Sequence, residues 1–302
     1  MIVQIYEIQT PPEAEKCIEM GVNHIGSVIL SQEEWRVPLL RETVRLSKGT
    51  DAKSSLIPLF HDRDTTCRAI DYYQPDLIHF CDSLTDQAGT PKNLDRFIQF
   101  QTDLKEKFPT VRIVRSIPIP KSGKAPGFPS LEIAKALQPT SDLFLTDTWL
   151  GKEPVEGYIG ITGETADTEI ARSLVRQSRI PVILAGGLSP ENVYDAIMTV
   201  RPAGADSCTQ TNEVTHNSDP VRFKKDFEKV KRFSEEVRRA EMELQEEKGN
   251  LLKRLEKLRE DLKDREAALP AHSVRPNQIM AIEALEAEIE EVEKELEEHQ
   301  SV

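Results

Sequence analysis

Eight times between residues 1 and 233, a short β-branched run gives way to a stretch with helical periodicity. The strand candidates are 2–8, 23–30, 55–60, 76–80, 111–116, 142–146, 180–185 and 203–208, and helical spacing falls near 11–20, 37–48, 64–73, 91–107, 129–137, 165–178, 190–199 and 219–233. Runs apolar at nearly every residue and separated by helices predict parallel strands covered on both faces. Eight such units in about 230 residues fit a closed (β/α)8 TIM barrel. An open doubly wound sheet is the alternative, but its G-x-G-x-x-G mark after the first strand is absent and "EIQTPPEA" stands there instead.

Two segments depart from this rhythm. Residues 117–128, "IPIPKSGKAPGF", are rich in Pro, Gly and Lys and read as a long loop after the fifth strand, either a lid or a surface insertion. Residues 234–302 hold no strand candidate. There, Leu251, Leu255, Leu258, Leu262 and Leu269 keep a three-four spacing with one charged gap at Arg265, as do Ile282, Leu285, Ile289, Val292 and Leu296. The linker 270–276, "PAHSVRP", stops one helix and suits the first turn of the next. The expected organisation is a barrel over 1–233 and a C-terminal antiparallel helical hairpin, a coiled coil, over 234–302. Lys253, Arg254, Lys257, Arg259 and Lys263 on the first helix complement the acidic second helix, Glu283 to Glu298. The seam over 250–299 equally suits a second copy or another protein partner, and a merely solvated charged face is the plain alternative.

A formal charge of -13 argues against a nucleic-acid or anionic-membrane binder while leaving room for a local phosphate pocket. No apolar run approaches the roughly 20 residues of a membrane span, and no signal segment opens the chain. Cys17, Cys67, Cys81 and Cys208 lack C-x-x-C spacing and read as buried structural thiols. These features together predict a cytoplasmic protein. Nothing in the sequence calls for a metal or a cofactor.

In a barrel the chemistry belongs at the C-terminal strand ends, with phosphate commonly held after strands seven and eight. "AGGLSPENV" follows strand seven, where Gly186 and Gly187 allow close backbone approach and Ser189-Pro190 opens a helix. Asp147 ends strand six in "LTDTWLG", and "YIGITGETAD" supplies Gly160 and Gly163. Singly, each reads equally as a tight turn or a helix cap. Jointly they point to a phosphosugar site.

The segment "PVILAGGLSPENVYDAI", with "VNHIGSVIL", "PDLIHF", "DLFLTDT", "GITGET" and "GAD" in the same order, resembles the phosphoribosylanthranilate isomerases of tryptophan biosynthesis from residue 1 to about 233. The resemblance implies a small phosphorylated substrate and an Amadori rearrangement, in which an acid protonates the ribose ring oxygen and a base removes the neighbouring carbon's proton. It assigns the acid to Asp147, a carboxylate-holding role to Arg36, and phosphate contacts to Gly163, Gly186 and Gly187.

The first strand breaks the family pattern. The family's Lys-Ile-Cys-Gly, whose Cys is the base, reads Gln4-Ile5-Tyr6-Glu7 here. Tyr6 needs a large downward shift from a pKa near 10 to serve as a base, while strand alternation turns Glu7 out of the barrel unless the strand end bends. After strand eight the family's Ser-Ser-Gly reads Cys208-Thr209-Gln210, leaving Thr209 and Gln210 as hydrogen-bond donors. His79 and Cys81 read as interior packing. Three functions stay open: the isomerase with Tyr6 or Glu7 as substitute base, an enzyme for another phosphosugar, and a non-catalytic ligand-binding barrel acting as an interaction module through its hairpin.

Overall fold

A computed structural model describes residues 1–217, 219–269 and 275–298. Strands β1 (Ile2–Ile5), β2 (His24–Ile29), β3 (Lys53–Pro58), β4 (Leu77–Phe80), β5 (Arg112–Pro120), β6 (Leu143–Trp149), β7 (Val182–Leu184) and β8 (Gly204–Ser207) form a closed parallel barrel in sequence order. Closure comes from β1 against β8, in register from Ile2 opposite Gly204 to Ile5 opposite Ser207. Helices α1 (Pro11–Glu19), α2 (Pro38–Arg45), α3 (Arg63–Tyr73), α4 (Asp95–Lys107), α5 (Ser130–Leu137), α6 (Thr168–Gln177) and α7 (Val193–Val200) connect successive strands.

Alternation along the strands divides the apolar residues between two layers. Leu77, Val114, Leu143, Leu145 and Ile183 cluster together, while their neighbours Ile78 and Ile113 join a second cluster with Leu40, Val44, Ile70 and Leu104 of the helices. Successive side chains point to opposite faces of a strand, and here both faces are buried. The near-continuous apolar runs follow from that.

Three expectations need correction. Residues 117–120 are strand, not loop: β5 runs to Pro120 and pairs with β6 as far as Pro120 opposite Trp149. Pro118 and Pro120 lie past Arg115, the last residue of β5 paired with β4, so their missing N–H groups interrupt no ladder on that side. Residues 220–225 form a strand, β10 (Pro220–Lys225), antiparallel to β9 (Asn212–Val214), where helix had been expected over 219–233. The eighth helix and the first hairpin helix are one element, α8 (Phe227–Ala267), followed by α9 (Pro276–Glu298).

The chain divides into two compact units, 1–239 and 240–302. Within the second, Leu255, Leu258, Ile289 and Val292 form a buried cluster flanked by Leu251, Leu262, Leu285 and Leu296. Arg254 donates to Glu288 at 2.7 Å and Arg259 to Glu293 at 2.6 Å. The nine Cα–Cα steps from Ala267 to Pro276 reach at most about 32 Å when extended, less than the about 34 Å length of α9, so the helices pair antiparallel. Pro276 opens α9 as expected; most of the expected linker, 270–274, lies outside the described residues. Among the described residues no helix is long and apolar enough to cross a membrane.

Candidate active site

A cavity of about 750 Å³, counting its open mouth, sits at the C-terminal ends of the barrel strands. Tyr6, Glu7, Asp147, Gly163, Gly186, Gly187, Thr209 and Gln210 all line it, as do His79, Asp206 and Arg222. The topology brings them together because all these strands run in one direction and their ends share one rim. Arg36 is set apart. It is exposed on the segment between β2 and α2, its guanidinium over the rings of Trp35 at 4.8 Å and Tyr72 at 5.7 Å. Cation–π contact with two aromatics holds it there, and it is not among the residues that line the cavity.

Tyr6 follows β1, and its buried hydroxyl sits in a chain of hydrogen bonds: 2.6 Å from Ser55 Oγ and 2.7 Å from His79 Nδ1, with His79 Nε2 2.8 Å from Ser116 Oγ. Burial drives the Tyr6 pKa well above 10, the bond with Ser55 opposing. Burial, with the charge of Arg115, lowers His79 to about 3, so its ring is neutral. The phenol is a fixed hydrogen-bonding group and the wrong species for a base at neutral pH.

The strand does bend at the next residue. Glu7 takes φ 66°, in the left-handed region that non-glycine residues seldom occupy, and is 1% exposed. Its carboxylate meets β9 and β10: it pairs with Arg222 and accepts from Asn212 Nδ2 at 2.8 Å and the Phe223 amide at 3.0 Å. Burial alone would raise its pKa, yet those hydrogen bonds and the charges of Lys225 and Arg222 hold it below the ordinary value. A carboxylate so satisfied is a structural anchor and a weak base.

Asp147 and Asp206 carry the acid–base potential. Asp147 lies two residues beyond Leu145 on the inward face of β6, and burial followed by the charge of Asp206 raises its pKa to about 8. Asp206, in β8, is raised by burial to about 7, opposed by the hydrogen bond from Gln4 Nε2 at 3.0 Å and the charge of Lys225. Gln4 in turn meets His24 Nδ1 at 3.1 Å, which fixes its amide. Burial therefore favours the protonated form of Asp147, and a charge on Asp206 adds to that. One cavity holds a carboxylic acid and a carboxylate at neutral pH. Asp206 is not among the residues expected from the sequence, although an acid near the end of a barrel strand is a usable signal. Arg222 and Lys225 were hidden in a segment expected to be helical.

The rim beside these two carboxyl groups is built by glycine-bearing loops after β6 and β7. Gly186 and Gly187 adopt φ 104° and 63°. A Cβ on Gly187 would lie 2.7 Å from the Glu164 carbonyl carbon, so the segment after β7 can press against the segment after β6 only as glycine. Thr148 Oγ1 donates to Glu164 O at 2.6 Å and Gln210 Nε2 to Gly163 O at 3.0 Å, tying the segment after β6 to its own strand and to the segment after β8. Lys225 Nζ donates to Cys208 O at 2.7 Å, steadying the turn that presents Thr209 and Gln210.

Residues 97–209 match the family profile described as N-(5'phosphoribosyl)anthranilate (PRA) isomerase. The N-(5'-phosphoribosyl)anthranilate isomerase of Methanocella arvoryzae is 33% identical over 139 residues, 46% of this chain; the match spans 56% of that relative's length. The enzyme of the same description from Methanothrix thermoacetophila is 30% identical over 168 residues, 56% of this chain and 67% of the relative. Among solved structures, a phosphoribosyl anthranilate isomerase in complex with reduced 1-(o-carboxyphenylamino)-1-deoxyribulose 5-phosphate superposes with TM-score 0.55 at 17% identity, covering 79% of this chain and 99% of that one.

Proposed function

The chain belongs to the N-(5'-phosphoribosyl)anthranilate isomerase family, and from that premise we propose that its barrel isomerises a phosphoribosylated arylamine from aldosylamine to ketosamine, as a step of tryptophan biosynthesis. Asp147 donates its proton to the ribose ring oxygen as the bond from C1 to that oxygen breaks and the nitrogen lone pair forms the C1 iminium. The Asp206 carboxylate then takes the proton on C2, whose electrons form the C1–C2 double bond. The resulting enol-amine takes up a proton at C1 while its C2 hydroxyl gives up its own, leaving the C2 ketone. Asp206 thus replaces the base role expected of Tyr6 or Glu7, and the substrate phosphate lies against Gly163, Gly186, Gly187, Thr209 and Gln210. One observation supports the reading above others: an acid raised to about 8 shares a cavity with a carboxylate raised to about 7. General acid–base catalysis needs that pairing near neutral pH.

The test is direct. Freshly formed phosphoribosylanthranilate is mixed with the protein and the loss of anthranilate-type fluorescence is followed; rescue of a tryptophan auxotroph is the cellular version. Turnover lowered by roughly 10²-fold or more in a folded Asp147→Asn variant supports the proposal. Absence of turnover with folded protein overturns it, and turnover confined to another phosphosugar moves the chain to a different substrate.

A second reading is favoured by the locked Tyr6 at the family's base position: a barrel that binds a phosphorylated ligand without converting it and associates through the seam of 250–299. Removing 249–302 separates the two. Loss of an oligomer or partner with unchanged ligand binding and no turnover supports the second reading, and detection of neither oligomer nor partner ends it.

A further inference from the structure

Outside the barrel mouth lies a second cavity, about 940 Å³ with its opening, that shares no lining residue with the first. It is bounded by the start of α3, the start of α4 and the outward face of β5. At its floor stands Arg115, 1% exposed. Arg115 Nη1 donates to Asp82 Oδ2 at 2.8 Å, while Nε and Nη2, both buried, have no partner. Those two N–H groups lie along one edge of the guanidinium, parallel and spaced to meet the two oxygens of a carboxylate. An unpaired buried donor is costly, and here two sit side by side on a charged group.

Gln101 repeats the signal with opposite polarity. It is 1% exposed, and its Nε2 donates to Thr140 O at 3.1 Å and Ser141 Oγ at 3.0 Å, which fixes the amide. Its Oε1 is buried without a donor, on a side chain that lines the same cavity. The walls are aromatic: Phe60, Phe80 and Phe97 are buried and Phe100 partly so. At the entrance, exposed Arg63 and Arg96 lie over the rings of Phe100 at 5.0 Å and Phe97 at 4.5 Å. Against these three arginines the lining holds one acid, Asp82, in a chain whose formal charge is -13. A local reversal of charge over an aromatic pocket favours an anion with a flat apolar body.

We propose that this cavity is a second ligand site, taking a small aromatic carboxylate whose oxygens meet Arg115 Nε and Nη2, whose ring lies among the phenylalanines, and whose hydroxyl or amino substituent donates to Gln101 Oε1. The free edge of Arg115 supplies orientation, and Arg63 and Arg96 attract the anion to the entrance.

The probe is benzoate, titrated into the full chain by calorimetry while the Nε–H resonances of arginine are followed by NMR. Saturable binding that shifts the Arg115 resonance is expected. Arg115→Lys keeps the charge facing Asp82 but removes the parallel donors, and should weaken benzoate at least tenfold; should that variant not fold, the wild-type Arg115 resonance still decides. Benzyl alcohol should not bind, and 4-hydroxybenzoate should bind more tightly than benzoate, an advantage lost in Gln101→Leu. The proposal is overturned if benzoate does not saturate, if it saturates without moving Arg115, or if benzyl alcohol binds as well. Inorganic phosphate moving Arg115 at the same concentrations as benzoate would overturn the aromatic assignment.

Discussion

Tyr6 and His79 are joined by a 2.7 Å hydrogen bond inside the barrel, the phenol having been driven above its ordinary pKa and the imidazole held neutral by the same burial. Each is the protonation state that a buried neutral pair requires, and neither is the state of a working base. Tyr6→Phe should therefore leave kcat/KM within a few-fold of the parent. It strands Ser55 and His79 without their shared partner, at a cost of about 1–3 kcal/mol in urea unfolding. A large loss of kcat from a variant that stays folded would assign the phenol a part in the reaction.

Asp147 must be protonated and Asp206 ionised for the proposed steps. The active form grows as pH rises through about 7, where Asp206 loses its proton, and declines as pH rises through about 8, where Asp147 loses its own. A narrow bell in kcat/KM against pH is the expected outcome. Asp147→Asn should remove the alkaline limb and lower kcat by roughly 10²–10⁴-fold, and Asp206→Asn should remove the acid limb with a loss of the same order. A profile flat from pH 6 to pH 9 would contradict both roles.

Gly26 gives up its side chain to the Tyr6 ring, which occupies the space a Cβ would need. Gly26→Ala should destabilise the barrel by about 1–3 kcal/mol through overpacking. Combining it with Tyr6→Cys should recover part of that loss, as measured by thermal unfolding of the four proteins in the cycle. Strict additivity would mean that the two residues do not share this space.

Glu7 anchors the hairpin of β9 and β10, and its pKa is lowered from an ordinary 4.5. A group whose folded pKa is depressed stabilises the fold above its unfolded value, and that contribution is lost as pH falls through the folded one. Stability should drop on acidification below about 4.5, and Glu7→Gln should flatten that dependence while costing about 1–3 kcal/mol at pH 7. Denaturant midpoints across pH 3 to pH 7 provide the check.

Val292 is fully buried in the seam between α8 and α9. Val292→Asp sets an unpaired charge against Leu255 and Leu258, so loss of helical ellipticity equivalent to most of α9 is expected in circular dichroism. An unchanged spectrum would mean that α9 does not depend on this seam.

The barrel was legible because its signals are local and repeated: near-continuous apolar strands, helices between them, and strand ends that topology gathers at one rim. Asp147 and the glycines were found by their place at those ends. The pairing of α8 with α9 likewise followed from spacing and charge along the chain. Other features arise only when distant segments meet. "PVRFKK" forms a strand because Asn212–Val214 lies beside it, and Pro118 and Pro120 remain in β5 because β4 ends first. No pattern in "IVQIYEIQT" announces that Glu7 turns to φ 66° to reach a guanidinium 215 residues away, or that Tyr6 is sealed between Ser55 and His79. Asp206 stands near a strand end in the sequence, but only burial inside the closed barrel gives it a pKa near neutrality. Periodicity determined which residues face inward, whereas desolvation and charge, which depend on who the neighbours are in space, decided which of them can move a proton.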